Sequence, residues 1–97
     1  MSLTIVTDDG VVTVTDAALQ QIVHQAAESV DGARVRRRHT QIAIETGGAR
    51  VSLELTAPLG VVLPALARAV QEHVAHALGT MSGVNVAAVD VTVEELD

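Results

Sequence analysis

The sequence predicts an α+β fold: a two-layer sandwich in the order β-α-β-β-β-α-β, with two helices packed on one face of a sheet whose centre is an antiparallel meander. Three observations predict it. Two stretches, Leu19–Val30 and Leu63–Met81, carry apolar residues at the spacing of one buried helical stripe. Between them lie three β-prone segments separated by short turn signals. After the second stretch, valines alternate with polar residues through Val89-Asp90-Val91-Thr92-Val93-Glu94.

The elements follow in order. Thr4–Thr7 is a weak strand candidate within a segment, residues 1–10, that is free to fray. Val11–Val14 is a short β-prone run. Thr15 or Asp16 then supplies an N-cap for a helix from about Asp16 to Ser29. Its stripe is Leu19, Ile22, Val23, Ala26, Ala27 and Val30, while Gln20, Gln21, His24, Gln25 and Glu28 face away. Asp31-Gly32 ends it. The β segments are Ala33–Arg38, Gln41–Thr46 and Ala49–Thr56. Gly47-Gly48 suits a two-residue hairpin loop, because glycine accepts positive φ. The second helix starts near Val61 or Val62, since Pro64 is tolerated only in a first turn. Gly83 closes it, and a last strand runs from about Val84 to Glu94. Its alternation breaks at Ala87-Ala88, which predicts a bulge or a late start there.

Composition bounds what such a domain does. At 97 residues the chain is one domain, 1–97. It contains no Phe, Tyr or Trp, so bases and sugars find no ring to stack on. It contains no cysteine, which excludes disulfides, thiol nucleophiles and Cys-ligated zinc. The start, "MSLTIVTDDG", has neither the basic residues nor the apolar length of a signal peptide, so a cytoplasmic location is expected. No apolar run approaches the roughly 20 residues of a membrane span, so direct insertion is not expected.

Charge is uneven. The net charge is −6, yet four of the six basic residues fall within residues 34–38, "RVRRR". The rest of the chain carries two basic residues against twelve acids, net −10. Such a background repels nucleic acid at long range, and no nucleic-acid partner is expected.

Register decides where those arginines point. Pairing across Gly47-Gly48 sets Glu45 opposite Arg50 and Ile44 opposite Val51. A turn at His39-Thr40 would set Arg38 opposite Gln41, Arg36 opposite Ala43 and Arg34 opposite Glu45. Arg34, Arg36, Arg38 and Arg50 then share the outer face with Glu45 and Glu54. Arg37 falls on the helix side near a strand end and extends its guanidinium into water. The plain reading is a solvated, partly self-neutralised face. The alternative is a site on Arg34, Arg36, Arg38 and Arg50 for an acidic protein segment or an anionic ligand.

Candidate chemistry is thin. His73 and His76 lie on adjoining turns beside Glu72, but a zinc site needs three or four converging ligands, so no metal and no cofactor are expected. No serine or threonine sits in a nucleophile elbow, and Gly47-Gly48 does not lead into a helix as a phosphate loop does. The residues read as those of a non-enzyme.

Two segments carry a family resemblance. "GVVTVTDAALQQIVHQAAESVDGA" joins a glycine, a short strand, an Ile/Ala-rich helix and Val-Asp-Gly. "VSLELTAPLGVVLPALARAVQEHVAHALGTMSGVNVAAVDVTV" joins a strand, a glycine loop, a helix with Val-Gln, a Met-Ser-Gly close and a Val-rich strand. The ordered whole resembles the alkaline-shock-protein family of bacterial envelope stress response proteins, the general stress family. Leu59-Gly60, where members often have an aromatic residue before the glycine, and Pro64 depart from the pattern. The resemblance implies a cytoplasmic, non-enzymatic scaffold. It would self-associate as a homo-oligomer and gather at the membrane through an integral-membrane anchor protein.

Overall fold

The computed structural model describes residues 3–96, so positions 1 and 2 of the segment expected to fray, and 97, lie outside the described residues. Among the described residues the elements are β1 (Leu3–Thr7), β2 (Gly10–Val14), α1 (Asp16–Glu28), β3 (Arg34–Val35), β4 (Gln41–Glu45), β5 (Gly48–Pro58), α2 (Leu63–Ser82) and β6 (Val86–Leu96). A 3-10 turn at Arg37–His39 separates β3 from β4. The α+β class and the two helices on one sheet face stand as the sequence predicts.

Local chemistry explains both helices. Thr15 caps α1: the Ala18 amide donates to Thr15 Oγ1 at 3.1 Å. Pro64 falls in the first turn of α2, where no amide hydrogen is needed, and Gly83 ends the helix with a left-handed φ of 71°. The stripes meet as Leu19, Val23 and Ala27 of α1 against Leu66, Val70, Val74 and Leu78 of α2. Beneath them lie Val51, Leu53, Leu55 and Ala57 of β5. Each fully buried leucine contributes about 1.5–3 kcal/mol from lost water contact alone.

β5 is the central strand. On one side it pairs antiparallel with β3 and β4, and on the other it pairs parallel with β6, which α2 connects to it. The register to β6 shifts between Ala49 and Arg50, so an extra residue falls at Ala87, where the alternation breaks in sequence.

Three strand-level expectations are corrected. First, β3 and β4 do not pair with each other. Both run along the same edge of β5, Arg34 opposite Thr56 and Gln41 opposite Ser52. His39-Thr40 lacks the glycine or asparagine that a tight reversal needs, so the chain makes a 3-10 turn and continues in the same direction. The meander therefore reduces to one hairpin, β4–β5. Second, that hairpin turns at Thr46-Gly47, setting Glu45 opposite Gly48 and Ile44 opposite Ala49. Gly48 has a φ of 121°, so it accepts the strained end of the turn. The shift keeps the faces as expected: Ile42 and Ile44 remain with Val51. Third, Val11–Val14 does not join the main sheet. It pairs with β1 in a separate two-stranded ribbon, Val6 opposite Val11, because Asp8-Asp9 turns the chain back on Leu3–Thr7.

Candidate interaction surface

Alternation along β5 divides its side chains. Ala49, Val51, Leu53, Leu55 and Ala57 are buried under the helices, whereas Arg50 and Ser52 are exposed on the outer face and Glu54 and Thr56 are half-buried there. Asp90, Thr92 and Glu94 of β6 continue that outer face, with Ser52 opposite Asp90 and Thr56 opposite Glu94.

The four arginines singled out from sequence are spread along this face. Arg34 sits opposite Thr56 and Arg50 opposite Ala43. Six residues of β5 separate those positions, about 20 Å. They do not form the three rungs that the expected register implied, because β3 continues past β4 rather than folding onto it. Acids meet two of the four. Arg36 Nη2 lies 2.7 Å from Glu94 Oε2. Arg50 reaches Glu45 at 3.6 Å and Asp90 at 3.5 Å. All these groups are at least two-fifths exposed, so each pair contributes less than about 1 kcal/mol. Arg34 on β3 and Arg38 in the 3-10 turn are exposed, without an ion pair among the described residues. Arg37 falls on the helix side as expected and reaches Glu28 of α1 at 3.3 Å.

Sequence reasoning missed His24. Expected on the solvent side of α1, it is buried at 8% exposure, with Nε2 3.0 Å from Oγ1 of buried Thr40. Gln20 Nε2 also donates to the Thr40 carbonyl at 3.3 Å. The 3-10 turn brings Thr40 under α1, and no local pattern announces that contact. Burial, then the nearby Arg37 charge, holds the His24 pKa below its usual 6.5, against a smaller opposing effect of Glu28. The group is a structural staple between helix and sheet edge.

The other histidines do not build a site. His73 Nδ1 lies 3.0 Å from Ser29 Oγ, tying α2 to the end of α1. No group of three metal-ligating side chains converges among the described residues. A cleft of about 720 Å³ opens at one end of the sheet, where Arg34, Asp31, Leu59 and Leu96 line it. No described helix is long and apolar enough to cross a membrane.

The largest unpaired feature is backbone. Among the described residues β6 pairs only with β5, leaving one edge of an eleven-residue strand open. The Val89 carbonyl accepts from the Gln71 side chain at 3.0 Å instead of from β5. Backbone alternation then turns the amides and carbonyls of Val89, Val91 and Val93 to the open edge.

Residues 34–97 match the model of the ASP23 family, the alkaline shock protein family, described as having a cell envelope-related function. No curated protein matches the sequence. Among solved structures, a copper form of the MamM CTD superposes with a TM-score of 0.61 at 19% identity, covering 86% of this chain and 100% of that one. A cadmium form of the MamM CTD gives a TM-score of 0.59 at 21% identity, covering 84% and 96%. At such identity the likeness is one of fold.

Proposed function

Because this chain belongs to the ASP23 family, whose function is related to the cell envelope, we propose that it is a non-enzymatic scaffold of the envelope stress response. In this reading it works in the cytoplasm, self-associates, and is held at the membrane by an integral-membrane partner. The observation that carries the reading is the open edge of β6. A long strand with one unpaired edge is a template for another chain. The rest of the surface suits a protein–protein role, since two of its four outward arginines, Arg36 and Arg50, are met by its own acids. Size-exclusion chromatography with light scattering tests self-association. An assembly larger than one chain is expected, and a strict monomer at high micromolar concentration would overturn it. Cross-linking followed by pull-down in the native host tests the anchor. Recovery of an integral-membrane protein is expected; its absence from every cross-linked product counts against recruitment.

A second reading rests on Arg34 and Arg38, which no described acid meets. Here the chain is an adaptor that takes an acidic protein segment or an anionic ligand on Arg34, Arg36, Arg38 and Arg50. Replacing all four by serine should then remove a pull-down partner. An unchanged set of partners would dispose of this reading.

A further inference from the structure

The open β6 edge has a sequence that suits one occupant. We infer that it pairs antiparallel with β6 of a second copy, Val91 against Val91, to make one continuous sheet across two chains with all four helices on the same face. This rests on the self-association proposed above and specifies its surface. Four features carry it.

The edge is long and little guarded. From Ala88 to Leu96 the strand is regular beyond its bulge, and β6 contains no proline or lysine, two common edge protectors. The Gln71 amide occupies one carbonyl, that of Val89, and would have to swing aside.

The faces match. Side chains of Val89, Val91 and Val93 are half-buried toward the helices, and Asp90, Thr92 and Glu94 point outward. An antiparallel pairing centred on a valine places valine beside valine on the helix side, Val89 against Val93.

Charge and pairing length together select the register. With Val91 at the centre, Asp90 faces Thr92 of the other copy and Glu94 faces Ala88, so no acid opposes an acid, and all eleven residues of the strand pair. Centring on Val89 or on Val93 also keeps acids apart but pairs only seven residues of each strand. Moving the centre to Asp90 sets Asp90 against Asp90, and moving it to Thr92 sets Asp90 against Glu94. Like charges directly opposite each other are destabilising.

The arginines complete the argument. Arg50 lies 3.5 Å from Asp90 and Arg36 lies 2.7 Å from Glu94, so the outward acids of β6 arrive at the junction already paired. The basic run and Arg50 thus reduce the repulsion between two acidic chains at the strand where they would meet.

Thr92 is the probe, because it is exposed and its side chain lies outside the hydrophobic core. In the Val91-centred register it faces Asp90 of the other copy at two symmetric places. Thr92→Glu should raise the dimer dissociation constant about fivefold or more, and Thr92→Arg should lower it. Sedimentation equilibrium of the full chain and both variants reads this, with far-UV circular dichroism confirming the fold. A monomeric parent chain overturns self-association and this surface together. A parent dimer indifferent to both variants overturns the β6 edge and leaves self-association standing. Weakening by both variants overturns the register, since it would place Thr92 opposite Thr92.

Discussion

Replacing Thr40 by valine removes one oxygen from beneath α1 while nearly keeping the side chain's shape. Thr40 is 7% exposed and its Oγ1 lies 3.0 Å from Nε2 of His24, itself 8% exposed. Thr40→Val leaves that imidazole nitrogen buried without a partner, which costs about 1–3 kcal/mol. For a domain of this length each kcal/mol lowers the melting temperature by about 4–8 °C. The double variant His24→Leu, Thr40→Val removes both partners and should recover much of the loss, because two matched apolar groups bury no orphan. The coupling between the two sites should then be about 0.5–3 kcal/mol. The chain has no aromatic residue, so urea unfolding must be followed by far-UV circular dichroism rather than intrinsic fluorescence. A Thr40→Val loss below about 0.3 kcal/mol, or two single losses that simply add, would refute the staple.

The same histidine sets a pH dependence. Its folded pKa is below 6.5, so the unfolded chain binds the proton more readily. Its contribution is complete above pH 6.5 and is lost as pH falls from there through the folded value, and His24→Leu should remove that part of the slope in melting temperature. At the hairpin, a Cβ on Gly48 would meet the Asn85 carbonyl oxygen at 2.5 Å and φ is 121°, whereas Gly47 has nothing within 4 Å and no positive φ. Gly48→Ala should therefore cost more than about 1 kcal/mol in urea unfolding and Gly47→Ala much less. Arg50→Ser should change stability by less than about 1 kcal/mol, because its pairs with Glu45 and Asp90 are exposed; a larger loss would mean the outer face stabilises the fold.

What the sequence discloses is what local periodicity can carry. The stripes of α1 and α2, the cap at Thr15, the alternation of β5 and the break at Ala87 are each set by neighbours within a few residues. The run at Arg34–Arg38 is different. Whether it folds back on Gln41–Thr46 or continues beside it depends on β5, since Arg36 N–H donates to Glu54 O at 2.8 Å, eighteen residues on. His24 is buried for the same kind of reason, because Thr40 arrives from a turn that no local signal announces. The outward sense of Arg36 and Arg50 follows from alternation. Their acids, Glu94 and Asp90, come from β6, and only the parallel β5–β6 register brings them together.

Amide hydrogen exchange along β6, measured by nuclear magnetic resonance across a concentration series, tests the open edge most directly. The Asp90 and Thr92 amides donate into β5 and should be protected at every concentration. Those of Val91 and Val93 should exchange freely in dilute solution and gain protection as the second strand pairs with them. Equal protection of all four in dilute solution, or free exchange of Val91 and Val93 in concentrated solution, would contradict the account.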